Sequence, residues 1–551
     1  MRSSLILLGS AALLAGCTST ERPASSESTG GNLVIAVAGD ATSLYPPTVV
    51  DIVGRLIQDQ VFDRLAEIGP DVGTVGDKSF TPRLAQKWTW APDSMSITFS
   101  LDPRARWHDG KPVRASDVRF SVNAFKSPDS PVATLVNNLD SVQVKDSLTA
   151  VVWFKKRTPE QFYDVAYQVI VMPEHVYGAV PPKEWKTSPV TRVPVGSGRF
   201  KFVRWEPETR IELIADTANY RGRAKLDRVI FRPTPDPSAL STQLLTGEVD
   251  FAENFPLDRL AELDTSAVAR GVFWSNYGHI FLALNPTDPK NRKSPHPIFS
   301  DRRVRRALAM SVDRAAMLKN VFGDHGKLGR GPFPSNAFFA DSSMHALPYD
   351  TTAAKAMLDS SGWRVGPDGM RAKSGRPMRF TISVHSSPQR QRYAVMMQEQ
   401  LKKLGVGVDI DRIDFGALMA HQDKRDFDAT MSSFTPDPSP SGLRQAWGSE
   451  GIGGQNFLGY SNKQFDALLD SATSSFDPVK TKEYASRAFQ IVNDDAPAIF
   501  LYDIVLLEGV HRRVTTANMR PDEWWANLAD WSIPPDKRIE RDRIGLAAAK
   551  P

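Results

Sequence analysis

FTPRLAQKWTWAPDSMSITFSLDPRARWHDGKPVRASDVRFSVNAF, residues 80–125, packs a dense series of local structural signals into one stretch. From Ser96 to Leu101 polar and apolar side chains alternate, which predicts a half-buried strand with Ile97, Phe99 and Leu101 on its inner face. Asp102 and Pro103 end that strand, Trp107 brings a large apolar surface back, and Asp109–Gly110 supplies the positive φ of a tight turn before Lys111–Pro112. Beyond the turn Val118, Val122 and Phe125 recur at helical steps, with Ser116 or Asp117 placed to accept the first free backbone N–H groups.

Working outward, 551 residues exceed what one hydrophobic core serves, and a hydrophobic content of 41% is enough to build two or three globular domains. The 68 basic and 63 acidic residues are interspersed and leave a net charge of +5, so nucleic-acid binding is not indicated. At the start, Arg2 precedes an apolar run over residues 5–14 and then Ala15 and Gly16, which reads as an export signal too short to span a bilayer. Cys17 follows at once and is the only cysteine, so a disulfide has no second partner. Residues 18–32, rich in Ser, Thr, Gly and Glu, read as a disordered tether.

In the second half, DRRVRRALAMSVDRAAML reads as an amphipathic helix with Val304, Leu308 and Val312 on one face, and Arg302, Arg303, Arg305 and Arg306 as its solvated side. Thr351 is placed to cap the helix that follows and ends at Gly362. Strands over 380–384, 406–410 and 427–431, alternating with helices over 390–404 and 415–421, predict parallel strands with right-handed crossovers. Ligands of such sheets bind beyond the carboxyl ends of the strands, and the last of these strands leads into Ser432, Ser433, Phe434, Thr435, Pro436 and Asp437. No GxSxG, HExxH, Walker A or paired-cysteine motif occurs, and the nine histidines lack ligand spacing, which leaves catalysis without a constellation and points to no cofactor or metal site; a metal-binding receptor would need histidines brought together by folding.

The strand, WHDGKPV turn and helix together, with Leu84, Ala85 and Trp88 upstream and Asp117-Val118-Arg119-Phe120-Ser121 downstream, resemble the signature segment of family 5 solute-binding proteins, the receptors of dipeptide and oligopeptide ABC importers. Asp102 and Arg114 depart from that pattern. Leu44-Tyr45-Pro46, Gly196-Ser197-Gly198-Arg199-Phe200, Tyr220-Arg221-Gly222, Gly247-Glu248-Val249-Asp250, FSDRRVRRAL and residues 496–502 resemble further family words, so the likeness covers nearly all of the chain after the tether. Leu14-Ala15-Gly16-Cys17 resembles a bacterial lipobox, which implies cleavage before Cys17 and lipidation of its thiol.

The resemblance implies an α/β, two-lobed periplasmic-binding-protein-like fold of the large peptide-binding class, with an extra inserted α+β domain. The expected divisions are a signal peptide at 1–17, a tether at 18–32, lobe I at 33–61 plus 186–268 plus 503–545, the inserted domain at 62–185 and lobe II at 269–502. In peptide-binding members a Trp three residues before an Asp follows the strand that here begins at Phe427, and the Asp pairs with the peptide's α-ammonium group. An ungapped count puts Phe434 at the Trp and Asp437 at the Asp; read from the other side, Asp437–Pro438 matches a later Asp-Pro and the anchoring Asp is absent. Trp447, Asn456 and Tyr460 lie in a glycine-rich loop that resembles the segment lining the ligand chamber; Tyr460 is expected to pin the loop, Trp447 and Asn456 to meet ligand.

The implied function is an extracytoplasmic receptor, monomeric and lipid-anchored to a bacterial membrane. It captures a peptide or peptide-like solute between its lobes and delivers it to ABC transporter permease subunits. The alternatives are a receptor for a metal chelate, opine or glycan, and an exported hydrolase.

Overall fold

The computed structural model describes residues 29–341 and 344–543; the expected export signal, Cys17 and most of the expected tether lie outside the described residues. The 80–125 stretch folds as its pattern requires. Ser96–Leu101 is a strand with Ile97, Phe99 and Leu101 buried, flanked by Ala85–Trp90 and Thr149–Phe154 in an antiparallel sheet completed by Leu139–Asp146. Gly110 takes φ +86°, and the Trp107 N–H donates to the Lys111 carbonyl at 2.8 Å to close the hairpin. The helix Ala115–Phe125 starts differently from expectation. Arg114 is its N-cap, and Asp117 reaches back to accept the Arg114 N–H at 2.8 Å, so the departing residue needs no capping side chain of its own. Asp117 also accepts from the Trp107 indole and the Glu174 N–H, which ties turn, helix and following segment into one unit.

His108 clasps this unit to a distant one. Its N–H donates to the Gly196 carbonyl, its Nδ1 accepts from the Gly196 N–H, and Nε2, which must therefore carry the proton, donates to the Gly198 carbonyl at 2.9 Å. The ring's partners are 88 and 90 residues away in the chain. A Cβ at Gly196 or Gly198 would run into the backbone carbonyls of Val61 and Gln60, so both glycines are there for close approach of two chains.

The largest sheet has eleven strands. On one side Gly407–Ile413, Arg379–His385 and Ala429–Phe434 lie parallel, as a βαβαβ order demands. On the other, Phe251–Ala252, Asn32–Val37 and Arg228–Pro233 are parallel and lead to the antiparallel Arg210–Ala215 and Phe200–Glu206. Ala269–Leu284 and Ala498–His511, paired antiparallel over most of their length, run through both halves. Only residues from Phe281 on are legible as strand in the first of these, because the burial of 270–276 is intermediate on both faces and the alternation that marks a strand is lost. Their register shifts between Ser275 and His279, which bends the ribbon at Tyr277.

Buried side chains on either side of this bend form separate cores. Lobe II packs Val304, Leu308 and Leu401 on one face of the sheet and Trp447, Phe465 and Phe489 on the other. The inserted domain shares a continuous core with lobe I, in which Ile97, Phe99 and Val152 join Leu33, Ile35 and Phe251. Two local expectations change. Asp350, not Thr351, caps the helix Thr351–Ser360, accepting from Thr352 and Ala353. The arginines of helix Arg302–Met310 are not simply solvated: Arg302, Arg305 and Arg306 donate to the last carbonyls of helix Pro478–Asp495. Among the described residues no helix is long and apolar enough to cross a membrane.

Candidate ligand-binding site

The carboxyl end of strand Ala429–Phe434 opens into the loop 435–438, and that loop forms one wall of a cavity of about 390 Å³. This volume falls within the range of about 300–1,000 Å³ usual for small-molecule sites. The opposite wall comes from lobe I through Arg55 and Gln58 of helix Ile52–Val61 and from the inserted domain through Tyr163, Tyr167 and Gln168, with Tyr277 entering from the bend of the crossover ribbon. The cavity therefore lies where all three parts of the chain meet.

Tyr163 and Tyr167 are one helical turn apart on Gln161–Ala166 and its C-cap, and their rings stack at 5.5 Å. Tyr167 is held from behind: its hydroxyl donates to Asp522 at 3.0 Å and accepts from Arg520 at 2.7 Å, while the Arg64 guanidinium lies 4.4 Å above its ring. Tyr163 reaches across the cleft instead. Its hydroxyl donates to Asp437 Oδ2 at 3.2 Å, and the Gln168 amide donates to the same oxygen at 3.1 Å.

Asp437 Oδ1 is shut off from solvent and has no hydrogen-bond partner in the protein, and the same holds for the Tyr277 hydroxyl on the cavity wall. Burial pushes the Asp437 carboxyl above its ordinary range, against the opposing pull of Tyr163, Gln168, the Ser439 amide and the charge of Arg55. Two more carboxyl groups stand at this interface on the inserted domain. Burial pushes Glu160 up to about 7, with the charge of Asp437 adding to it, and Asp164 rises well above its ordinary value for the same reasons. Glu160 accepts from the Ser441 hydroxyl of lobe II, a second bond across the cleft. Among the described residues no group of three or more His, Cys, Asp or Glu side chains is arranged to hold a metal ion. What this arrangement offers is a buried carboxyl on the cavity wall, held by neutral tyrosine and glutamine donors and with no cation paired to it among the described residues, which suits a ligand cation.

Of the residues singled out in the sequence, Asp437 lines this cavity; Phe434, Trp447 and Asn456 do not. Phe434 packs on Phe281 at 5.3 Å and edge-on to Trp447 at 6.0 Å. Trp447 is fully buried and its indole N–H donates to the Pro332 carbonyl at 3.0 Å. Asn456 is 1% exposed and donates to the Gly448 and Tyr460 carbonyls, so its side chain staples its own loop. Tyr460 pins that loop to the helix end through Asp495 at 2.9 Å. The sequence reading missed Tyr163, Tyr167, Gln168 and Tyr277. The only hint was YDVAYQ, in which two tyrosines at helical spacing precede a glutamine; nothing in it says which element they will face.

Comparison with known proteins adds the following. Residues 79–455 match the family model described as bacterial extracellular solute-binding proteins, family 5 middle. The oligopeptide-binding protein AppA of Bacillus subtilis is 25% identical over 497 residues, covering 88% of each chain. Its structure in complex with a nonapeptide superposes with a TM-score of 0.71 at 24% identity, covering 92% of this chain and 99% of that one. The ABC transporter substrate-binding protein CtaP of Listeria monocytogenes superposes with a TM-score of 0.80 at 21% identity, covering 92% of this chain and all of that one, at 100%.

Proposed function

The chain belongs to the bacterial extracellular solute-binding proteins of family 5, and on that premise we propose that it is the receptor of an ABC importer, capturing a short peptide in the cavity between its lobes and presenting the closed form to the permease. The observation that carries the peptide reading is the Asp437 carboxyl on the cavity wall, buried, held by Tyr163 and Gln168 through Oδ2 and in no ion pair among the described residues. A buried carboxylate is costly until a cation joins it, and a peptide's α-ammonium brings both the charge and three donors. This supports the ungapped alignment, in which Asp437 is the amine anchor. The relative's structure holds a nonapeptide, whereas about 390 Å³ lies toward the small end of ligand pockets, so the ligand here is of two or three residues.

Closure is the working step. The bonds from Tyr163 and Gln168 to Asp437, and from Ser441 to Glu160, join the inserted domain to lobe II and exist only when the two are together. A ligand that adds contacts to the same closed state shifts the equilibrium toward it by the free energy of those contacts. Lipidation at Cys17 would keep the receptor at the membrane near its permease, as Leu14-Ala15-Gly16-Cys17 and the lack of any other cysteine support. The receptor works as a monomer in this reading, with burial and no bond making.

Calorimetric titration with di- and tripeptides tests the proposal. Peptides with a free amino terminus are expected to bind one to one and raise the melting temperature, and their N-acetylated forms to fail. Equal binding of both forms removes the amine anchor; binding of none, or release of hydrolysis products, removes the peptide receptor.

A further inference from the structure

The cavity is two-faced. Beside the polar groups that surround Asp437, the lining includes Val50, Phe125, Val132, Leu135 and Ile170, none of which carries a charge or a side-chain hydrogen-bonding group. Val50 is 64% exposed and Leu135 42% exposed, large apolar side chains left open where most of their kind in this protein are covered. Phe125 and Ile170 form the buried back of the same wall. Val50 comes from lobe I, just before helix Ile52–Val61, and Leu135 from the short 3-10 turn Ala133–Val136 of the inserted domain. The Ser130 hydroxyl donates to the Pro47 carbonyl at 2.8 Å, which bolts these two segments together across 83 residues of sequence. This apolar end is thus set between segments that do not depend on lobe II for their mutual position.

We propose that this end is a specificity pocket for a bulky aliphatic or aromatic side chain, and that the preferred ligand is a short peptide with a free amine for Asp437 and a large hydrophobic residue for Val50, Val132, Leu135 and Phe125. The inference rests on the peptide-receptor reading and goes beyond it to the class of peptide. Physically, the exposed Val50 and Leu135 gain burial only when an apolar group covers them, whereas a polar or charged side chain placed there loses its water without finding a partner. Methylene-sized differences in such pockets are worth roughly 10- to 200-fold in discrimination.

The test uses tripeptides of alanine carrying Leu, Phe, Ser or Asp at each position in turn, titrated into the unaltered protein and into Val50→Asp and Leu135→Asp. Both substituted positions are solvent-facing, so folding is expected to survive, and a melting curve checks it. The unaltered protein is expected to bind the best Leu or Phe peptide roughly ten-fold or more tighter than its Ser counterpart, with Asp weakest. In each variant that ratio, measured within the same preparation, should fall toward one. Peptide binding without a Leu or Phe preference, or a preference unchanged in both variants, overturns the pocket while leaving the receptor intact. Failure of every tripeptide overturns the receptor reading and the pocket with it.

Discussion

Tyr163 and Asp437 are 274 residues apart in the chain and 3.2 Å apart across the cleft, where the tyrosine hydroxyl donates to Asp437 Oδ2. The bond joins the inserted domain to lobe II, so its removal is expected to act on closure and to leave each lobe's own core untouched. Tyr163→Phe is expected to weaken peptide binding by about 0.5–1.5 kcal/mol, the net worth of one such bond. Small-angle scattering of the ligand-free variant should show a larger radius of gyration than the unaltered protein. An unchanged radius together with unchanged affinity would mean that the contact does not contribute to closure.

Asp437→Asn separates the two sequence alignments. If Asp437 receives an ammonium group, its neutral replacement leaves a buried cation uncompensated and costs about 3–5 kcal/mol of binding. If it is only a loop residue bonded to Tyr163 and Gln168, the loss stays near the size of one hydrogen bond, about 1 kcal/mol. Titration of both forms with one free-amine peptide gives the answer directly.

Glu160 is expected to make closure sensitive to pH. Its carboxyl is pushed up to about 7 by burial at the interface, where it faces Ser439, Ser441 and Asp437 of lobe II and Asp164 on its own helix. The sign follows from that direction. A carboxyl with a raised value in the closed form favours closure fully below its ordinary value of about 4.5, and that contribution is lost as pH rises through about 7. The empty protein should therefore be more compact at pH 5 than at pH 8 by scattering, and Glu160→Gln should flatten the difference. A difference of the same size in the variant would assign the effect to another group.

Much of this architecture was legible. Period-two alternation at Ile97, Phe99 and Leu101 and the βαβαβ order of 379–434 both reflect burial on a sheet, a property that each residue expresses locally. The signature turn was legible as a turn, but its purpose was not, because His108 finds its partners at Gly196 and Gly198 through the tertiary fold. The same limit explains the site. Asp437 could be singled out from strand direction, whereas Tyr163, Gln168 and Tyr277 reach it from an inserted domain and a bent ribbon whose placement no local pattern encodes. The contacts of Trp447 and Asn456 are equally tertiary or local in ways no pattern marks: Trp447 ends the helix Pro440–Trp447 and its indole reaches the Pro332 carbonyl 115 residues away, whereas Asn456 holds its own loop through the Gly448 and Tyr460 carbonyls.

Gly196→Ala tests the clasp. The added Cβ meets the Val61 carbonyl, a backbone atom that cannot rotate away, and the segment must shift off His108. Loss of the clasp and strain together predict a destabilisation of several kcal/mol, about 2–4 by the usual scale of overpacking plus a lost buried hydrogen bond. His108→Ala, which removes the two ring bonds without the clash, should cost less. If thermal melting ranks the two variants the other way, close approach at Gly196 is not what the glycine serves.

Arg513 gives the last prediction, because it explains why Asp250 of the Gly247-Glu248-Val249-Asp250 element is buried at all. Its guanidinium donates to both Asp250 oxygens at 2.6 and 2.8 Å, to Asp542 at 2.6 Å and to the Asn32 carbonyl at 2.8 Å. Asp250 also accepts the Val34 N–H and Asp542 the Asn32 N–H, so this one cation joins the first strand, the end of the first lobe's run and the C-terminal segment. Arg513→Ala leaves two carboxylates in the interior with Arg541 as the remaining cation on Asp250, and removing one partner of such a buried network costs about 3–5 kcal/mol. Trp524 stacks on Phe251, the residue after Asp250, at 4.4 Å, and is one of the 12 tryptophans whose summed fluorescence follows urea unfolding. A transition shifted to lower urea in Arg513→Ala, and restored toward the original in a variant that also carries Asp250→Asn and Asp542→Asn, is the expected outcome; no restoration would mean that packing of the arginine stem, and not uncompensated charge, sets the cost.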